Sequence, residues 1–363
     1  MKGIDTPLTR LLDIDRPVLL AGMAGGPTTP ELVAAVSRAG GLGTFGLAGM
    51  QPDAVEAAVR AAVDMSGGAP IGVNVLISPE VPRVGADPAR MDAVLSGLRA
   101  QMGLPHPPPP APSPASPKQL VEAGLAAGAS VVATGLGDPT PIAGIAHAAG
   151  ATLIAMASTV GDAVRMVESG ADAVVAQGAE AGGHRSNIEV PADAPVPLVG
   201  TLALVRQVVG AVEVPVVAAG GIMDGAGIAA ALALGASGVQ MGTAFLVADE
   251  AGVPRGWRER LRDASDDGTI ITRSLSGRPA RGLPNSITRA LDAPGALGWP
   301  RQNAATADVR RAAMAADDAE HMALWTGQAA SLAGPDRPAG QVMDELMDEA
   351  LTTMRRLGQM APR

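Results

Sequence analysis

The chain has 363 residues, of which 47% are hydrophobic and 17% are charged, so it can bury a large core and is not disordered by composition. Its net charge of −9 argues against a general nucleic-acid-binding protein. Because the chain contains no cysteine, disulfides, thiolate catalysis and cysteine-ligated metals are excluded.

The amino-terminal segment carries Asp5, Asp13 and Asp15 and lacks the uninterrupted apolar region of a signal peptide. A cytoplasmic location is therefore expected. Further along, the uncharged window 225–248 is long enough for a membrane span, but glycines and polar residues divide it into a helix-like half and a strand-like half. No membrane span is expected.

Eight short apolar runs predict eight strands, and most are nearly continuous in apolar residues, as is typical of strands buried on both faces. They cover residues 17–23, 41–46, 70–76, 130–135, 152–157, 172–178, 214–221 and 238–245.

Helical patterns separate these strands. The helix over 30–40 begins with Pro30 and ends at Gly40, and the helix after the fifth strand has Ser158 or Thr159 as its cap. The repeated alternation predicts a (β/α)8 TIM barrel over residues 1–250, with an open doubly wound sheet as the alternative.

Two regions interrupt the alternation. An insertion after the third strand, 78–118, ends in the proline-rich stretch 105–117, which is expected to be an extended surface connector, with a partner-binding motif as the alternative. The segment 251–363 contains all three tryptophans and is predicted to be mainly helical. It is expected to cap the substrate site at the barrel mouth.

Glycine clusters follow the last two predicted strands, at Gly220 and Gly221 and again at Gly242. Barrel enzymes place their sites in the loops after the strands, and the loops after strands seven and eight commonly bind phosphate. Glycine lets main-chain N–H groups approach the anion, and a helix N-terminus adds partial positive charge. The alternative is that these glycines only make tight turns.

The stretch QGAEAGGHRS, residues 177–186, is the most unusual in the sequence. Gln177 ends a strand, and its carboxamide can donate to and accept from the edge of a heteroaromatic ring. Gly182 and Gly183 let the backbone pass close to a flat ligand. His184, with an ordinary pKa of about 6.5, could transfer a proton at the rim, or it is a structural histidine. Glu180 and Arg185 are expected to pair across the turn.

Two more residues are expected near a ligand at this mouth. Met23 is adaptable enough to cover one face of a flat ring, although it could equally fill the core. Asn74 interrupts an apolar strand, and a buried amide needs partners. His106, His147 and His321 are interpreted as structural or surface residues, and no histidine pair has metal-ligand spacing, so no metal site is expected.

The chain resembles the nitronate monooxygenase family, formerly called 2-nitropropane dioxygenases. The resemblance rests on PVLLAGMAGGPTTPELVAAVSRAGGLGTFG, PIGVNVL, AQGAEAGGHRS and PVVAAGGIMDGAGIAAALALGASGVQMGTAF, and continues in SLSGRPARGLPN and LWTGQAA. It implies a TIM barrel that binds FMN non-covalently and oxidises alkyl nitronates, or nitroalkanes, with dioxygen to a carbonyl compound and nitrite. The nitronate would give an electron to FMN, and reduced flavin would pass one to oxygen.

By motif match, the resemblance also implies roles for individual residues. His184 matches the catalytic histidine, which would act as a base toward a nitroalkane or, when protonated, steady the anionic nitronate. The residues implied to contact the isoalloxazine are Met23, Asn74, Gln177, Gly182 and Gly183, and those implied to surround the phosphate side are Gly220, Gly221, Gln240, Met241, Gly242 and Thr243.

The chain departs from the family at two points. Ala244 stands where relatives often have an arginine, so a charge beside the phosphate loop is lost. The chain has no tyrosine, so a tyrosine-lined substrate cavity cannot be copied. The pocket is expected to be wide and aliphatic, with Met and Trp side chains from the carboxy-terminal segment. Two alternatives are an NAD(P)H-dependent FMN reductase of quinones or enoyl thioesters and a non-catalytic flavin-binding protein.

Overall fold

Eight parallel strands form a nearly closed barrel in the computed structural model, which describes residues 3–82, 85–110, 113–191 and 195–360. Their spatial order is β1-β9-β8-β6-β5-β4-β3-β2, and a parallel bridge between Leu19 and Leu42 joins the two ends. The barrel strands are β1 Val18–Leu20, β2 Gly43–Gly46, β3 Ile71–Leu76, β4 Val131–Gly135, β5 Thr152–Ala157, β6 Ala173–Gln177, β8 Val216–Ala219 and β9 Gly238–Met241.

All eight predicted strands are present, so the TIM barrel is confirmed and the open doubly wound sheet is wrong. The eighth strand is shorter than predicted. It ends at Met241, and Thr243–Phe245 forms a 3-10 turn instead, because the chain bends away from its neighbours at Gly242.

Helices follow most of the barrel strands, and several begin with a proline preceded by a capping residue. Thr159, not Ser158, caps the helix after β5 by accepting the Asp162 N–H at 3.0 Å. The helices are α1 Pro7–Leu12, α2 Pro30–Arg38, α3 Pro52–Ser66, α4 Pro88–Gln101, α5 Pro117–Ala126, α6 Thr140–Ala148, α7 Val160–Glu168, α8 Thr201–Val209, α9 Gly225–Ala233, α10 Arg255–Arg262, α11 Ser286–Asp292, α12 Arg301–Ala315 and α13 Ala339–Gln359. None of the helices within the described ranges is both long enough and apolar enough to cross a membrane.

The barrel interior is apolar at one end and polar at the other. Leu8 and Leu12 of α1 close the amino-terminal end and pack against inward side chains such as Val175. Residues in register on neighbouring parallel strands face the same side of the sheet. Asn74 is in register with Ala133, Gln177 with Ala219, and Gln240 with Leu19 and Ala219, all of which point inward. Three amide side chains therefore gather toward the carboxyl ends of the strands.

The insertion 78–118 contains a helix that the sequence pattern did not reveal. This helix, α4, packs against α11 and α12, and Arg99 makes a bidentate ion pair with Asp308 at 2.8 and 3.0 Å. The described part of 105–116 forms neither helix nor strand and is mostly exposed, as predicted, while residues 111 and 112 lie outside the described residues. The insertion is thus anchored to the carboxy-terminal segment.

The carboxy-terminal segment contains strands as well as helices. Strands β10 Ile270–Thr272 and β11 Ala280–Gly282 form a small antiparallel sheet with β7 Gly183–His184. Strands β10 and β11 were not predicted from the sequence because each is only three residues long. The last helix, α13, packs on the outside of the barrel against α9 and α2. The domain boundary at residue 250 stays a prediction.

The contact between α9 and α13 gives a stability test. A Cβ atom added at Gly225 would meet main-chain atoms of Leu346 and Ala350 in α13. We expect Gly225→Ala to lower the free energy of unfolding by about 1–3 kcal/mol, because the two helix backbones would have to separate. Urea denaturation measures this change. Gly144→Ala in α6 is the matched control, since its added Cβ meets no atom within 4 Å and should stabilise the helix by up to about 1 kcal/mol. A Gly225→Ala protein as stable as the wild type would contradict this packing.

Candidate active site

The turn that follows β6 is held by the side chain of Gln177. Its Oε1 accepts the Ser158 hydroxyl at 2.8 Å and the Ser186 N–H at 2.9 Å, and its Nε2 donates to the His184 carbonyl at 2.9 Å. The residue is buried, at 4% exposure. The carboxamide therefore ties β6 to the returning strand β7, and only its second N–H is left for a ligand.

Glu180 and Arg185 do not pair with each other, contrary to the expectation from the sequence. The Arg185 guanidinium is fully buried and donates to the carbonyls of Gly178 and Gln177 at 2.5 and 3.2 Å. Glu180 instead accepts the Thr201 N–H and hydroxyl, at 2.9 and 2.7 Å, at the start of α8. Each group bonds main chain because the turn leaves carbonyls on one side and the helix leaves free N–H groups on the other.

A second buried arginine completes this arrangement. Arg281 in β11 donates from Nε to the Ala179 carbonyl at 2.9 Å. Burial, followed by the charge of Arg281, lowers the pKa of Arg185 to about 10. Three successive carbonyls, those of residues 177 to 179, are thus bound by two guanidinium groups, which fix the turn.

The two glycines of this turn have different surroundings. A Cβ atom added at Gly182 would lie 2.6 Å from the Gly327 N–H nitrogen, so glycine is required there for packing against the carboxy-terminal segment. Gly327 N–H in turn donates to the Thr243 hydroxyl at 2.9 Å. Gly183 has a φ of +75° and open space beside it. Of the pair, Gly183 is the one whose side-chain face is free for a ligand.

His184 lies in β7 between two tryptophans. Its ring centroid is 5.9 Å from that of Trp299, in an edge-to-face arrangement, and 5.4 Å from that of Trp325. Nε2 is 2.8 Å from the Ser276 hydroxyl, which also donates to the Arg278 carbonyl at 3.2 Å. Because that hydroxyl proton is used, the geometry favours the tautomer with the proton on Nε2, and Nδ1 is then an acceptor.

The pKa of His184 differs from the ordinary value expected from the sequence. Burial, and then the charges of Arg278 and Arg310, lower it to about 3. Some of the residue stays accessible to solvent, but the surrounding protein desolvates its charged form. The other three histidines each lie beside an aspartate, whereas no carboxylate within the described ranges pairs with His184. Its imidazole is therefore neutral near pH 7.

The loops after β8 and β9 lie side by side because the two strands are neighbours in the barrel. Gly220 and Gly221 have φ values of +115° and +71°, which favour glycine. The main-chain N–H groups of Gly221, Ile222 and Thr243 have no acceptor among the residues that the structure describes. Three free donors on adjacent loops form a candidate anion cradle.

The helix N-terminus expected to assist this cradle is already occupied. The Asp224 side chain caps α9 by accepting the Gly227 N–H at 2.8 Å, and Glu349 of α13 accepts the Gly225 N–H at 2.9 Å. Two carboxylates thus take two of the first-turn donors and place negative charge at this helix end, so an anion at this site would depend mainly on the loop N–H groups.

Of the remaining residues predicted to bind the cofactor, all but one have their side chains at the barrel mouth. Asn74 and Gln240 face the barrel interior, and the closest partner of Asn74 Nδ2 is the Gly22 carbonyl at 3.5 Å. Half-buried Met23 has its Sδ atom 3.5 Å from where a Cβ on Gly242 would lie. The side chain of Met241 is buried in the outer core, in register with Leu20, so only its main chain is near the mouth.

Several residues around His184 were not singled out from the sequence. They all come from the carboxy-terminal segment and comprise Ser276, Arg278, Trp299, Arg310 and Trp325. For Ser276, Arg278 and Trp325 the signal was present in SLSGRPARGLPN and LWTGQAA, which marked the family resemblance but had no assigned role. Trp299 and Arg310 lie outside both stretches.

Comparisons with known proteins give one consistent result. A family model described as Nitronate monooxygenase matches residues 5–349. A probable nitronate monooxygenase of Staphylococcus aureus strain Newman is 35% identical over 348 residues, which cover 94% of this chain and 96% of the relative.

Two solved structures are similar over nearly the whole chain. Nitroalkane oxidase from Streptomyces ansochromogenes has a TM-score of 0.86 and 35% identity, over 97% of this chain and all of that one. FabK from Thermotoga maritima has a TM-score of 0.79 and 31% identity, over 99% of this chain and all of that one.

The lowered pKa of His184 predicts a pH effect on stability. The unfolded chain, with a histidine pKa of about 6.5, binds this proton more readily than the folded chain, so the contribution is fully present above pH 6.5 and is lost as the pH falls toward 3. Between pH 6.5 and 4, we expect ligand-free wild type to lose about 2–3 kcal/mol more stability than His184→Asn. Urea denaturation of both proteins across this range measures the difference. Parallel pH profiles would show that His184 is not held neutral by the fold.

Proposed function

Because the chain belongs to the nitronate monooxygenase family, we propose that it oxidises alkyl nitronates with dioxygen to a carbonyl compound and nitrite, using FMN. Family membership makes it a flavin-dependent oxidoreductase of nitronates or nitroalkanes. One observation supports the finer assignment most strongly. A neutral imidazole lies at the barrel mouth among arginine charges, an environment that suits a substrate that arrives as an anion.

The residues at the mouth fit a phosphorylated planar cofactor. The free N–H groups of Gly221, Ile222 and Thr243 can bind a phosphate, and Gly183 leaves open space where a side chain would otherwise project. When bound, the flavin supplies the redox chemistry between nitronate and dioxygen. We assign the phosphate side to Gly220, Gly221, Gly242, Thr243 and the main chain of Met241.

The amide side chains that face the barrel interior would bind the ring of the cofactor. Asn74 and Gln240 face the interior, and Gln177 keeps one N–H available, so all three can hydrogen-bond a heteroaromatic edge. We therefore assign Gln240 to the ring side and not to the phosphate side that the family resemblance implied. Met23 would cover part of the ring, and Gly182 would hold the nearby turn in place by its contact with Gly327.

His184 would touch the substrate without carrying a charge. An imidazole with a pKa of about 3 is a weak base at neutral pH, so it removes a proton from a nitroalkane inefficiently. It can still orient the substrate through van der Waals contact with its neutral ring. Nitronates should therefore be oxidised faster than their parent nitroalkanes.

The decisive experiment is an absorption spectrum followed by anaerobic titration. We expect a yellow protein whose flavin is bleached by propionate 3-nitronate, while NADH and NADPH bleach it slowly or not at all. Because FabK shares the fold, the pyridine nucleotides test the reductase alternative directly. Rapid bleaching by NADH or NADPH, with none by the nitronate, would overturn the proposal, and so would a colourless protein that refuses FMN.

Replacing His184 tests its role separately. We expect His184→Asn to retain bound flavin and to lose activity, with a larger loss on 1-nitropropane than on its nitronate, because proton removal then has no acceptor. Steady-state oxygen consumption measures both rates. Unchanged rates on both substrates would remove His184 from the catalytic machinery.

The phosphate cradle predicts discrimination between flavins. We expect apoprotein to bind FMN about 100-fold or more tighter than riboflavin, because two or more charge-assisted hydrogen bonds to the phosphate are lost with riboflavin. Flavin fluorescence titration gives both dissociation constants. Similar affinities would show that the loops after β8 and β9 do not hold a phosphate.

A further inference from the structure

Two arginines beside His184 have no carboxylate partner among the described residues. Arg278 is fully buried and donates to the Ser78 hydroxyl and the Asn187 carbonyl, at 2.8 and 2.5 Å, while its Nε is buried without a partner. Arg310 donates from Nε and Nη2 to Thr306 and Asn303. Its Nη1 has no partner among the described residues and is not sealed from solvent.

Three hydrogen bonds and one peptide link connect Arg310 to the histidine. Arg310 Nε donates to the Thr306 hydroxyl at 3.0 Å, and that hydroxyl donates to the Leu275 carbonyl at 2.7 Å. The next residue, Ser276, contacts His184 Nε2 at 2.8 Å. The polar face of α12 therefore lies near the imidazole, and the charge of Arg310 helps to lower the pKa of His184.

The nearest carboxylate on α12 is already used. Asp308 is held by Arg99 of α4 through two hydrogen bonds of 2.8 and 3.0 Å. Burial, followed by the charge of Arg311, lowers the pKa of Arg310 to about 10, although the charge of Asp308 raises it in part. A largely buried cation without a counter-charge is unfavourable, and an anionic ligand would relieve it.

We propose that Arg310 is the residue that binds the substrate's oxyanion through its free Nη1, and that the charge of Arg278 near His184 adds to the attraction. This inference rests on the proposed function, because the substrate supplies the anion. Two groups share the required chemistry, the nitronate itself and a carboxylate at the other end of a nitronate-bearing chain. Both are planar oxyanions that a guanidinium binds well.

The test compares two neighbouring arginines on one helix. Arg310→Gln and Arg311→Gln remove the same charge, but Arg311 is exposed. We expect Arg310→Gln to lower kcat/KM by about 10- to 100-fold, the range for a lost charge-assisted hydrogen bond, and Arg311→Gln by less than about 2-fold. Arg310→Lys, which keeps the charge but loses the planar fork, should fall between.

Two substrates distinguish the sources of the anion. An equal loss on propyl-1-nitronate and propionate 3-nitronate identifies the nitronate group as the ligand, and a larger loss on the second identifies the carboxylate. Equal effects of Arg310→Gln and Arg311→Gln on both substrates would overturn the proposal. If Arg310→Gln loses its flavin spectrum, Arg310→Lys decides, and unchanged kinetics in that variant would also overturn it.

A binding measurement separates this inference from the proposed function. Calorimetric titration of the flavin-loaded proteins with nitrite and with 3-nitropropionate requires no turnover. We expect wild type and Arg311→Gln to bind at least one of these anions about 10-fold or more tighter than Arg310→Lys or Arg310→Gln. Failure of wild type to bind either anion would refute the role of Arg310, whereas binding without nitronate oxidation would refute only the proposed reaction.

Discussion

The candidate site depends on how the turn between β6 and β7 satisfies its main-chain carbonyls. These groups lie at and just beyond the end of β6, and leaving buried carbonyls unpaired would be costly. Arg185 and Arg281 bind three of them in succession, and the Gln177 carboxamide ties both ends of the turn together. The turn is thereby rigid enough to return His184 over the barrel mouth.

A protein with a net charge of −9 nevertheless surrounds this histidine with cations. The carboxylates closest to the site are directed elsewhere. Glu180 binds the start of α8, Asp224 and Glu349 bind the start of α9, and Asp308 binds Arg99. The local field thus has the opposite sign to the whole chain. Burial is the main cause that keeps the imidazole neutral, and this field adds to it.

The barrel could be predicted from the sequence because most strands are nearly continuous apolar runs, which is a purely local signal. The glycine motifs and His184 were also local and carried the family resemblance. The surroundings of His184 could not be predicted from local signals. Ser276, which contacts His184, is 92 residues away, and strands of three residues have no detectable period. The pKa of His184 depends on such distant contacts, and Glu180 bonds Thr201 on the next helix, so the sequence led to ordinary chemistry and a simple pair.

The aromatic content of the chain has a practical consequence. There is no tyrosine, and of the three tryptophans two flank His184 while Trp257 is buried in the core. Two of the three indole emitters therefore lie beside the imidazole. The chain carries an intrinsic optical reporter, and events next to His184 can be followed in real time without any attached dye.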